Sequence, residues 1–75
     1  MPKLPRVSGA EAIRALAKLG FKQVRQRGSH VVLKRAHATG ETGCVIPMHP
    51  ELATGTLRGI LRQAGISVEE FTEQL

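Results

Sequence analysis

Helix-start and turn signals divide this chain into short segments and restrict it to a small domain of mixed α and β structure. Ser8 is followed by Glu11, which matches the capping box, in which two side chains bond the free backbone N–H groups of a helix start. Ser67 and Glu70 repeat the pattern near the end of the chain. With 75 residues the chain forms one domain, residues 1–75, whose core must come from short elements packed tightly together.

Apolar spacing predicts two helices. One capping box marks the start of the first helix, and the other marks the start of a short helical turn near the end of the chain. The first helix is predicted over residues 9–19 and is ended by the glycine that follows. The second carries apolar residues at i, i+3, i+4 and i+7, namely Leu57, Ile60, Leu61 and Ala64. We expect Thr54 or Thr56 to cap its start and Gly65 to end it. Gly59 costs this helix about 1 kcal/mol relative to alanine, and we interpret it as allowing a close approach to the sheet.

Three segments between these helices have the composition of short strands. They are predicted at residues 21–26, 30–35 and 44–48, joined by a tight turn at Arg27-Gly28 and a polar hairpin loop at 36–43. Pro47 donates no ladder hydrogen bond, which places it at a strand end or sheet edge. The second capping box predicts a last short turn of helix. The fold class is therefore α+β, in the order α-β-β-β-α, with a three-stranded antiparallel sheet packed against two helices.

Alternation along the second strand leaves open which face of the sheet is buried. His30, Val32 and Lys34 share one face. Val31 and Leu33 share the other, and both sets contain good core residues. Lys34 beside His30 favours an open face for that set, whereas Val32 favours a buried one.

The positive charge is concentrated in the first half of the chain. Residues 1–35 hold nine Lys and Arg against one Glu, a balance of +8, and residues 36–75 hold two Arg against five Glu, a balance of −3. This asymmetry favours an anionic partner for the first half, most often nucleic acid. Basic composition that serves solubility alone is the alternative.

Cysteine content and hydropathy predict a cytoplasmic protein. Cys44 is the only cysteine, so an intramolecular disulfide and a cysteine-based metal cage are excluded. No apolar run approaches the roughly 20 residues that a membrane span requires, and residues 1–6 lack the apolar stretch of a secretory signal. Three histidines without nearby carboxylates or thiolates make a poor zinc ligand set. We expect no membrane association, no metal and no cofactor.

The tripeptide Gly28-Ser29-His30 stands where the tight turn becomes the second strand. A histidine there is held by a rigid element, and imidazole exchanges a proton near neutral pH. Gly28 permits backbone conformations and a close ligand approach that a side chain would block. Ser29 offers a hydroxyl that could orient a phosphate or hold the imidazole. A proton carrier among arginines and lysines suggests cleavage or binding of nucleic acid, and an ordinary strand-edge histidine is the alternative.

Basic residues on two parts of the chain are predicted to bind nucleic-acid phosphates. They are Lys22, Arg25, Arg27, Lys34 and Arg35 around the hairpin, and Arg58 and Arg62, one turn apart on the second helix. The chain has no Trp or Tyr and only two Phe, both expected in the core. Base stacking on aromatic rings is therefore poorly supported. We expect contacts mostly to the nucleic-acid backbone, including the 2′-hydroxyls if the ligand is RNA, with low sequence specificity.

Three segments in this order resemble the HicA (YcfA-like) family of toxins from toxin–antitoxin pairs. They are Gly28-Ser29-His30, the run Ile46-Pro47-Met48-His49, and residues 55–66, and the likeness extends from about Ser8 to Phe71. The resemblance implies a fold like a double-stranded RNA-binding domain, endoribonuclease action on mRNA, and neutralisation by a cognate HicB-type antitoxin. A non-catalytic RNA-binding module and a basic protein-interaction domain are the alternatives.

The resemblance also assigns a role to one histidine of the three. His30 matches the family's catalytic histidine, and we expect it to act as the general base or, in the reverse assignment, as the acid. His49 precedes Pro50, which restrains its backbone toward extended conformations. It supplies the complementary acid or holds its loop by a hydrogen bond. His37 falls in the polar loop and is expected to be solvated.

Overall fold

A computed structural model describes residues 3–75 and confirms the predicted order of elements; Met1 and Pro2 lie outside the described residues. The elements are α1 (Gly9–Lys18), β1 (Lys22–Arg27), β2 (His30–His37), β3 (Gly40–Pro47), α2 (Thr54–Ala64) and α3 (Val68–Thr72). The strands form one antiparallel sheet in the order β1-β2-β3. The fold is α+β, as expected, with the last helical turn present as α3.

Both predicted capping boxes are formed. The Glu11 N–H donates to Ser8 Oγ at 3.0 Å, and the Ser8 N–H donates to Glu11 Oε1 at 2.9 Å. Ser67 and Glu70 make the same reciprocal pair at the start of α3, at 3.0 and 3.1 Å. The predicted threonine cap of α2 is wrong. The helix begins at Thr54, so Ala53 occupies the cap position, and its methyl group has no oxygen to accept a hydrogen bond.

The capping boxes make stability depend on pH in the acid range. Hydrogen bonds from the backbone and hydroxyl of Ser8 hold the pKa of Glu11 below its ordinary value, and Ser67 does the same for the pKa of Glu70. A carboxylate whose pKa is lowered by folding stabilises the fold above its unfolded pKa, about 4.3 for Glu. That stabilisation is lost as the pH falls through the folded pKa.

We therefore expect the urea midpoint of the wild type to fall more steeply between about pH 5 and pH 3 than that of a Glu11→Gln/Glu70→Gln variant. Glutamine keeps the size of the side chain and an oxygen acceptor but does not titrate. Glu51→Gln, at an exposed position outside both caps, is the control and should keep the wild-type pH dependence. Equal slopes for the wild type and the double variant would contradict this account.

The polar segment 36–43 forms strand rather than the predicted loop. β2 continues to His37, and β3 begins at Gly40, its direct partner, so the hairpin loop is reduced to residues 38–39. The His37 ring lies within hydrogen-bond distance of the hydroxyls of Thr42 and Thr39, at 3.0 and 3.1 Å. This end of the hairpin extends beyond the core, so its strands carry polar residues on both faces.

The buried face of the sheet is settled by cross-strand pairs that pack against the helices. Val31 pairs with Ile46, and Leu33 pairs with Cys44, and all four side chains are buried. They join a single core with residues from all three helices, including Leu16, Leu57, Ile60, Leu61 and Phe71. His30, Val32 and Lys34 consequently lie on the open face. Burial raises the pKa of the Cys44 thiol to about 11, so it stays protonated and unreactive at neutral pH.

Gly9, rather than Gly59, is the glycine that permits a close approach between elements. A Cβ at Gly59 would meet nothing within 4 Å, so the interpretation of that residue as a contact point is wrong. A Cβ at Gly9 would overlap the carbonyl oxygen of Pro47 and lie 3.0 Å from the Cα of Met48. The Gly9 N–H donates to the carbonyl of His49 at 3.0 Å. The start of α1 therefore anchors the segment 47–49.

Candidate nucleic-acid interface

The hairpin between β1 and β2 presents His30 at the first position of a strand. Arg27 pairs directly with His30, which leaves Gly28 and Ser29 as a two-residue loop, one residue later than the predicted turn at Arg27-Gly28. Gly28 has φ +55°, as the first central residue of a type II′ turn requires. A Cβ there would meet nothing within 4 Å, so the top of the turn is free for a ligand. The turn geometry thus fixes the backbone of His30 while its side chain remains exposed.

The segment after β3 is tied to this hairpin. The Met48 N–H donates to the Ser29 carbonyl at 2.6 Å, directly after the pairing of His30 with Pro47. The next residue, His49, is exposed, and its carbonyl accepts a hydrogen bond from the Gly9 N–H. The structure therefore brings the backbone of His49 to the same end of the sheet as His30. Its role as an acid stays a prediction.

Four of the predicted basic residues share the open face with His30. Directly opposed residues of an antiparallel pair project to the same side of a sheet. The register places Arg27 beside His30, Arg25 beside Val32, and Lys22 beside Lys34. We call this set the basic face; its members are Lys22, Arg25, Arg27, His30 and Lys34. All of them are exposed.

A β-bulge in β1 places the basic residues of this strand on the same face of the sheet. The register shifts between Gln23 and Arg25, so an extra residue is inserted in β1 relative to β2. In a regular strand, Lys22 and Arg25 would face opposite sides, since they are three positions apart. The bulge turns Arg25 and Arg27 to the side that Lys22 occupies. Sequence alternation alone carries no signal for this shift.

The other predicted RNA contacts lie elsewhere. Arg35 pairs with Thr42 on the helix side of the sheet, where its Nη1 donates to the Leu19 carbonyl at 3.1 Å. Its guanidinium lies over the Phe21 ring, 4.9 Å from the centroid, which is the geometry of a cation–π contact. Arg58 and Arg62 are exposed on α2, in the helical layer. Arg35 thus joins α1 to the sheet, and these three residues are not part of the basic face.

The charge of the basic face is largely uncompensated. Within residues 3–75 the only ion pair joins Lys34 Nζ to Glu41 Oε1 at 4.0 Å, and both side chains are about half exposed. Such a pair contributes little and is screened by solvent. The cations of β1 therefore remain available to an incoming anion, and they raise its local concentration near His30.

His37 lies far from this end of the sheet. It occupies the last position of β2, seven residues after His30, which at about 3.3 Å per residue separates the two by about 23 Å. Over residues 3–75, no group of three or more His, Cys, Asp and Glu is arranged to hold a metal ion. None of the helices in the described part of the chain is long and apolar enough to cross a membrane.

These features define a class of protein: a small α+β domain with an open, basic sheet face and a histidine at the tip of a hairpin, suited to engage a polyanion. Residues 9–66 match the family model described as HicA toxin of bacterial toxin-antitoxin. That match covers most of the 75 residues, and the chain belongs to the HicA toxin family. The resemblance found in the sequence is confirmed, and the protein is a toxin of a toxin–antitoxin system. A search of curated proteins found no match.

Proposed function

We propose that this toxin is an endoribonuclease that cleaves mRNA in the cytoplasm without a metal ion, with His30 as its proton-transfer residue. The observation that carries the proposal is the position of His30 on the basic face, exposed and directly beside Arg27. Arg27 and Arg25 would hold the phosphate that is attacked, and the imidazole would lie next to it. The family membership adds a toxin–antitoxin context, in which degradation of mRNA arrests growth.

The reaction uses a nucleophile that RNA itself supplies. The 2′-oxygen attacks the adjacent phosphorus and loses its proton, the bond from phosphorus to the 5′-oxygen breaks, and the leaving oxygen gains a proton. His30 acts as the base for the first proton or as the acid for the second, a contribution of about 10²–10⁴-fold. The guanidinium of Arg27 stabilises the charge that develops on the phosphoryl oxygens.

Two further residues complete the proposed site. The Ser29 hydroxyl, in the hairpin loop, orients the phosphate or holds the imidazole. His49, on the segment bonded to Ser29, supplies the complementary proton transfer or holds its loop. We propose that a cognate HicB-type antitoxin neutralises the toxin by covering the basic face, since steric coverage is enough to block a site this exposed.

The experiment is an incubation of the purified toxin with end-labelled RNA in excess EDTA. We expect cleavage that leaves 2′,3′-cyclic phosphate and 5′-hydroxyl ends. A matched RNA with 2′-O-methyl groups should bind but stay intact, because it lacks the nucleophile. Cleavage that requires a divalent cation, or equal cleavage of the methylated RNA, would overturn this mechanism. Binding without new RNA ends would instead show a non-catalytic RNA-binding module.

A further inference from the structure

We infer that the toxin takes single-stranded RNA lengthwise along β2, with the phosphates over β1 and β2 and the bases toward β3. The RNA then contacts the basic face on only one side of the cleaved bond. The inference rests on the proposed function, since it takes His30 as the position of the cleaved phosphate. It adds the strandedness of the substrate and the side on which the substrate must extend.

The open face is ordered in three rows that run away from the hairpin. The first row holds Arg27, His30 and Pro47, the second holds Arg25, Val32 and Val45, and the third holds Lys22, Lys34 and Gly43. His30 and Lys34 are four residues apart, which is about 13 Å along the strand. At about 3.4 Å per stacked nucleotide, and more when unstacked, this distance accommodates about two to four nucleotides.

The cations lie on one side of His30 along the strand. Away from the hairpin, Arg25 is level with Val32, and Lys22 and Lys34 follow. In the opposite direction the sheet ends at once, in the uncharged loop residues Gly28 and Ser29. Phosphates on the first side therefore meet successive positive charges, and phosphates on the other side leave the sheet.

In the row of Arg25, Val32 and Val45, charge and apolar surface are also separated across the face. The cations come from β1 and β2, whereas the β3 positions of the three rows are Pro47, which is buried, Val45, which is exposed, and Gly43. Val45 is 40% exposed and pairs directly with the half-buried Val32. A Cβ at Gly43 would lie 3.5 Å from the Lys34 side chain, so the lysine stem lies across this small residue.

This arrangement suits a single strand better than a duplex. A single strand presents its phosphates on one edge and unpaired bases on the other, so the bases can cover the exposed Val45 and the half-buried Val32. In a duplex the bases are paired with each other, and the exposed Val45 of β3 would stay uncovered. Aliphatic side chains pack against any base, which agrees with low sequence specificity.

The test uses DNA oligonucleotides that contain one ribonucleotide, so that only one bond can be cleaved. Zero to four deoxynucleotides are added on either the 5′ or the 3′ side, and kcat/KM is measured at low salt. We expect extension on one side to raise kcat/KM by roughly tenfold, the effect of two exposed ion pairs, and extension on the other to change it little.

The Lys22→Ala/Lys34→Ala variant should lose that gain, measured as the ratio of kcat/KM for its longest and shortest substrates. The matched control is Arg14→Ala/Lys18→Ala, which removes two exposed charges from α1 in the helical layer. It should keep the wild-type ratio. Equal gains on both sides, a gain that survives in the sheet variant, or faster cleavage of the annealed duplex would overturn the inference. Absence of cleavage in every oligonucleotide and in mRNA would instead overturn the proposed function.

Discussion

The His30→Gln variant is expected to cleave RNA about 10²- to 10⁴-fold more slowly than the wild type while keeping its fold. Glutamine retains hydrogen-bonding groups but cannot carry a proton between the 2′-hydroxyl and the leaving oxygen. His30 is exposed and projects away from the core, so its replacement should change the free energy of unfolding by less than about 0.5 kcal/mol. Initial cleavage rates and urea denaturation curves, measured on the same preparations, test both statements.

His37→Gln is the matched control for this substitution. It replaces another exposed histidine of β2, at the opposite end of the strand from His30. Its cleavage rate should stay within about twofold of the wild type, because its ring contacts threonine hydroxyls and not the basic face. Equal losses in both variants, or no loss in His30→Gln, would remove His30 from the mechanism. Binding of 2′-O-methyl RNA by His30→Gln should persist, since the cations of the basic face remain.

The parts of this fold that were predictable from sequence are those set by residues close together in the chain. A capping box involves side chains three positions apart, so Ser8 and Glu11 specify the start of α1 without reference to the rest of the molecule. The glycine that ends α2 is equally local, with φ +70° at Gly65. The polar residues of segment 36–43 predict a loop, whereas its pairing as strand depends on a register set by the partner strand.

The same distinction separates the site residues. A turn at Gly28 is recognisable from the sequence because glycine adopts turn conformations readily, whereas its position at Gly28-Ser29 follows from the pairing of Arg27 with His30. Lys34 and Arg35 are adjacent in sequence and both are predicted to bind phosphate, yet Lys34 faces the open side and Arg35 packs over Phe21. Their separation follows from the burial of Leu33, a property of the whole core. The bulge that places the cations of β1 on one face is not indicated by any residue pattern in the sequence of that strand.

Gly9→Ala is expected to destabilise the protein by about 3 kcal/mol and to lower cleavage in the fraction that stays folded. The added methyl group would overlap backbone atoms of the 47–49 segment, which cannot move aside as a flexible side chain could. To relieve the overlap, this segment must shift away from α1, with the loss of the bond between Gly9 and His49. The shift would also move the backbone that is bonded to Ser29, beside the hairpin tip that carries His30.

Gly59→Ala is the matched control, since it adds the same methyl group to another helical glycine. A Cβ there meets nothing within 4 Å, so alanine should leave cleavage unchanged and stabilise α2 by up to about 1 kcal/mol. Urea denaturation and cleavage rates at a temperature where both variants are folded separate the two effects. If Gly9→Ala matched Gly59→Ala in stability, the close approach of α1 to β3 would not hold. If it were destabilised but fully active, the placement of the 47–49 segment would not matter for catalysis, and His49 would have no part in the reaction.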